Sequence, residues 1–141
     1  MKTIFALATF WLITTASQAQ LSVTVLPMKI TGQKAIVPLA LKNGYADKIE
    51  STRAVVFLMD EQGQMVGTKT DWIIGGTKER PALESGKETT YNFVVTATRP
   101  LVSTNLTTKV TVSRLILDGG KAGDVNKDVQ IQNAHSAQLT K

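Results

Sequence analysis

Residues 54–67, AVVFLMDEQGQMVG, constrain the fold more than any other stretch of the chain. Two short apolar runs flank a polar turn in which Gly63 is placed for a left-handed conformation, the pattern of a β-hairpin. A hairpin alone is marginal in water, so its two strands need partners beside them or across from them.

The rest of the chain supplies those partners. Residues 21–25 (LSVTV) alternate apolar and polar with the period of a half-buried strand, and 35–41 (AIVPLAL) form an apolar run of strand length. Pro38 has no N–H to give a ladder, which predicts a sheet edge or a bulge there. The hairpin strands run over 52–59 and 65–74, and 77–83, containing Pro81, reads as a crossing between sheets. Residues 89–96 place Tyr91, Phe93 and Val95 on one face. The longest candidate, 106–117, groups Val110, Val112, Arg114 and Ile116 on one face, with Leu115 and Leu117 on the other. A last strand is expected over 125–131. The sequence therefore predicts an all-β chain, an immunoglobulin-like β-sandwich of about seven antiparallel strands, with a small barrel as the alternative.

Residues 1–19 read separately. Lys2 precedes a ten-residue apolar run, IFALATFWLI, and Ser17-Gln18-Ala19 offers small residues for cleavage, which together predict a signal peptide. The run is shorter than the roughly 20 residues a membrane span needs. Residues 20–132 are then the sandwich domain and 133–141 a polar tail, with no further apolar run long enough to cross a membrane. The chain has no cysteine, which favours a periplasmic or extracellular bacterial setting over a disulfide-rich secretory one. Removing Lys2 leaves 15 basic against 11 acidic residues, a formal charge of +4. The basic residues are dispersed along the chain, and no nucleic-acid partner is expected.

Val56-Phe57-Leu58-Met59-Asp60, then Met65-Val66-Gly67, then Leu83-Glu84-Ser85-Gly86 ahead of Tyr91-Asn92-Phe93, resembles the FxLYD-type bacterial extracellular domains. Leu58 and Asp60 match the naming motif, while Val56 and Met59 stand in place of its Phe and Tyr. The resemblance covers about half of the chain. It implies an exported immunoglobulin-like module and brings no catalytic residues.

Nothing in the chain assembles a familiar catalytic set. The single histidine, His135, sits in the polar tail, too little for a zinc site or a Ser-His-Asp arrangement without a fold-back. Asp124, Asn126 and Asp128 have the alternate spacing of a calcium loop, but Val129 replaces its glycine and His135 its final carboxylate. A charged final strand is the better reading. No enzyme activity, cofactor or metal is expected. Trp72, followed by Ile73 and Ile74, is either a core plug or an exposed interaction anchor. Asp60 and Glu61 in the hairpin turn have no complementary group nearby in sequence.

The expected function is an exported, non-enzymatic module of the bacterial envelope. Its expected partner is another envelope or extracellular protein, met through a strand edge such as the Pro38 strand or the last strand. The alternative is a glycan- or small-ligand-binding protein with Trp72, Tyr45 and Arg80 as contacts. The expected working surface is Trp72, Ile73, Ile74, Arg80 and Tyr45.

Overall fold

The computed structural model describes residues 20–101 and 105–134; the expected signal peptide and His135 lie outside them. These residues form β1 (Leu21–Val25), β2 (Lys29–Thr31), β3 (Lys34–Asn43), β4 (Ile49–Met59), β5 (Met65–Ile74), β6 (Glu88–Thr96), β7 (Thr107–Leu117) and β8 (Val129–Asn133). A tight 3₁₀ turn, Asp118–Gly120, follows β7. The fold is an all-β sandwich. One sheet holds β6, β3, β1 and β8 in that order, with β2 beside β3, and the other holds β5, β4 and β7. All pairs are antiparallel except β1 with β8, which is parallel.

Two of the strands depart from the sequence reading. β2 is a short strand just ahead of Gly32 where no strand is expected, and the last strand, expected over 125–131, starts at Val129 because residues 125–127 form a turn. No described helix is long and apolar enough to cross a membrane.

Period-two alternation builds the core. Leu21, Val23 and Val25 of β1, Val37, Leu39 and Leu41 of β3, and Phe93 and Val95 of β6 are buried on the inner face of the first sheet. Ala54, Val56 and Leu58 of β4 and Val110, Val112 and Leu115 of β7 meet them from the second. Phe93 is the largest fully buried side chain, and Tyr91 approaches it edge-on at 5.1 Å.

Pro38 requires a correction, because β3 is an inner strand. β6 runs along one side of it, while β2 pairs with Lys34–Ile36 and β1 with Leu39–Asn43 on the other. The nitrogen and carbonyl of one residue point to the same side of a strand, and the Pro38 carbonyl accepts from Leu26 N–H at 2.9 Å. The missing N–H therefore faces the gap where the chain crosses from β1 to β2, and no ladder bond is lost.

Bulges reset two faces. In β7, Val112 is opposite Ala54 and Arg114 opposite Arg53, so Ser113 is an extra residue. The shift turns Leu115 inward and Arg114 outward, the reverse of their expected sides. In β5, Trp72 is opposite Arg53 and Ile74 opposite Thr52, which leaves Ile73 as the extra residue.

Candidate functional site

The two long sides of the sandwich differ, and the difference locates the expected site residues. On one side β5 and β6, the outer strands of the two sheets, are joined. Thr98 N–H donates to the Val66 carbonyl at 3.1 Å, and Gly67 lets the strands approach, since a Cβ there would lie 2.9 Å from Val95 Cγ1. Further along, Tyr91 on β6 donates its hydroxyl to Asp71 Oδ2 on β5 at 2.7 Å. Arg80, from the crossing between those strands, donates Nη2 to the Tyr91 oxygen at 2.8 Å and stacks its guanidinium 4.3 Å from the Tyr91 ring. Its Nη1 lies 3.5 Å from Asp71 Oδ1. Burial pushes the Asp71 carboxyl up, but the Tyr91 hydroxyl, the Trp72 N–H, Arg80 and Lys69 together hold it below the usual carboxylate value. Burial, then the bond to Asp71, pushes the Tyr91 hydroxyl up. The cluster is a polar latch across the edge of the core.

Arg80 is therefore committed to closing the fold. Ile73 and Ile74 are 4% and 2% exposed, because Ile73 follows the outward Trp72 by alternation and the bulge keeps Ile74 inward as well, and they drop out of the expected surface. Trp72 is half-buried on the outer face of the second sheet, neither a core plug nor a free anchor. Its ring lies over Gly76, where a Cβ would come within 2.3 Å of Cδ2, and the Arg53 guanidinium stands 5.8 Å from its centroid.

Tyr45 lies elsewhere. Its hydroxyl donates to Asp128 Oδ2 at 2.7 Å, which ties the loop after β3 to the start of β8. Burial, then this bond, pushes the Tyr45 hydroxyl well up. The carboxylates of the calcium-like segment are occupied by the same loop. Asp124 Oδ1 accepts from the N–H groups of Asn126 and Lys127, and Asp128 Oδ2 from that of Asp124. The segment is a self-bonded turn. Asp60 also has a partner that the sequence did not offer locally: Arg99 Nη2 binds its Oδ2 at 2.9 Å, while Oδ1 accepts from Gln62 and Gln64.

The other long side is open. β7 ends the second sheet and β8 the first, and the chain between them lines β7 only briefly. Leu117 N–H donates to the Lys121 carbonyl at 2.7 Å, and Gly123 N–H to the Leu115 carbonyl at 2.9 Å. After the Ile116–Ala122 bridge the chain leaves to pair with β1. Residues 107–114 of β7 thus have a ladder on the β4 side and none among the described residues on the other. The candidate residues that sequence reading missed are here: Lys109, Thr111 and Arg114, with Arg53 beside them. The length of the β7 candidate was the available signal, but its edge position depends on where β8 goes.

A shallow groove of about 420 Å³ crosses the outer face of the first sheet, lined by Ser22, Thr24, Lys42, Glu88, Thr90 and Gln132 among others. Lys42 and Glu88 pair at 3.9 Å at its margin. Trp72, Tyr45 and Arg80 do not line it.

No known family profile matches the chain, and no curated protein matches it. A solved structure with which it shares similarity is a β-glucuronidase from glycoside hydrolase family 2, at 12% identity and a TM-score of 0.47. That match covers 73% of this chain and 12% of the enzyme chain, and it carries no statement about activity.

Proposed function

We infer that this chain is an exported, non-enzymatic β-sandwich module of the bacterial envelope that binds another protein by strand addition along β7. The observation that carries the reading is the open edge of β7 over residues 107–114, on a sandwich whose opposite side is latched shut. An unpaired strand edge presents N–H and C=O groups that an extended segment can satisfy, with specificity left to alternate side chains. The signal-like residues 1–19 and the resemblance to FxLYD-type extracellular modules support the exported setting.

Site-specific photo-crosslinking in cells tests the reading. A crosslinker at Thr111 on β7 is expected to trap a discrete protein partner, and one at Thr90 on the opposite outer strand of the first sheet is not. Equal yields from both positions, or none at Thr111, contradict it. Export predicts a mature N-terminus at Gln20 in the periplasmic or culture fraction.

The hydroxyl-lined groove favours a second reading, binding of a glycan or small polar ligand. Under that reading a glycan-array signal falls on Thr90→Val and is unchanged by substitutions on β7.

A further inference from the structure

We propose that the strand accepted by β7 is an acidic one: an extended segment of a partner protein with two carboxylates four residues apart on one face and apolar residues on the other. The proposal rests on the protein-binding reading above and names the chemistry of the partner.

The register of the second sheet sets the charges out. Lys109 is opposite Phe57, Thr111 opposite Val55, and Arg114 opposite Arg53, all on the outer face. Because Ser113 is absorbed by the bulge, Lys109 and Arg114 stand four positions apart in the frame of a regular neighbouring strand. Arg53 in turn has Trp72 on its other side. The sheet therefore carries a cross-strand row, Trp72–Arg53–Arg114, that stops at the open edge.

That row has two guanidinium side chains directly opposite each other, about 4.5–5.5 Å apart at Cβ, an arrangement that like charges disfavour. Arg53 and Arg114 are exposed and make no ion pair among the described residues. The nearest carboxylate along β4, Glu50, accepts from Gly119 N–H instead. β7 has none, β4 has none between Arg53 and Met59, and the one on β5, Asp71, faces the latch. A strand added beside β7 would sit about 4.8 Å away and put a residue at the end of the row. A carboxylate there can take paired N–H donors from Arg114, and a second one four residues along meets Lys109.

The inner face asks for apolar side chains. The first sheet runs four strands across, from β6 to β8, and the second only three, from β5 to β7. Counted from the joined side, β8 has no counterpart. Ile131 shares the inward side of β8, opposite Val23 in register, yet is 37% exposed. A fourth strand beside β7 would lie over it and continue the apolar layer of Val110 and Val112. A second copy of this chain is the poorer occupant, since an antiparallel pairing of two β7 edges centred near Thr111 brings Lys109 of each against the Ser113–Arg114 bulge of the other.

The test uses two synthetic peptides, TEVTVEVT and the charge-reversed TKVTVKVT, titrated to millimolar concentration into the mature chain, with amide exchange of β7 followed by NMR. The acidic peptide is expected to slow exchange at residues 107–114 and to bind at least tenfold more tightly than the basic one. Arg114→Glu together with Lys109→Glu is expected to reverse that preference while leaving the spectrum of the core unchanged. Equal binding of both peptides along β7 overturns the acidic assignment and leaves strand addition standing. No slowing by either peptide overturns strand addition as well. A dimer in sedimentation that protects β7 without peptide also overturns the proposal.

Discussion

Both tyrosines that the chain contains donate to an aspartate at 2.7 Å, and each does so on a different side of the sandwich. On the joined side Tyr91 meets Asp71 across two sheets, with Arg80 stacked on its ring. On the open side Tyr45 meets Asp128 and only anchors the start of β8 to a neighbouring loop. The first bond closes the core, and the second holds one strand of the first sheet while the outer edge of β7 in the other has no partner over residues 107–114 among the described residues. The backbone groups on the free edge of β7 face solvent, while side chains cross-link the opposite flank. The proposed interaction edge and the structural latch are thus separate parts of the molecule, and they can be broken separately.

The largest effect is expected at the joined side. Phe93→Ala removes the largest fully buried side chain and the edge-on partner of Tyr91, and should cost about 3–5 kcal/mol in chemical denaturation. Next come the two tyrosines. Tyr91→Phe leaves Asp71 and Arg80 without the hydroxyl between them and should cost about 1–3 kcal/mol, because both of its hydrogen bonds are to charged groups. Tyr45→Phe loses one such bond and should cost less, with amide exchange accelerating at β8 rather than at β5 and β6. If the two variants lose equal stability and loosen the same strands, the contrast between the two sides is wrong.

The pH dependence is smaller and has a defined sign. Asp71 is held below its ordinary value in the folded chain, so its contribution is present above the unfolded-state value, near 4, and fades as pH falls through the folded one. Denaturation midpoints of the wild type and Asp71→Asn should therefore differ at pH 7 and draw together below about pH 4. A gap that persists unchanged at pH 3 would assign the effect of Asp71 to something other than its charge.

How much of this was legible in the sequence follows from which interactions are local. The hairpin, the all-β class and the inner face of β6 come from alternation within a few residues, and Tyr91, Phe93 and Val95 do share that face. What was not legible depends on a single inserted residue or on distant chain. The bulge at Ser113 exchanges Leu115 for Arg114, and the one at Ile73 turns Ile74 into the core beside Ile73, because a slip of one residue reverses the face of everything beyond it. Pro38 reads as an edge until β1 and β2 are seen to share one side of β3. Asp60 lacks a partner until Arg99, 39 residues away, is brought to it. The open edge of β7 exists only because β8 crosses to β1, and no pattern within β7 encodes that choice.

Native-state amide exchange of residues 20–141 without any partner tests the central claim most directly. The inward-bonded amides of β7 and the amides shared by β3 and β6 should exchange slowly, while alternate amides over residues 107–114 of β7 exchange as fast as those of exposed loops. Uniform protection of every amide along β7 would contradict the account, because it would mean that the edge on which the proposed function rests is already filled.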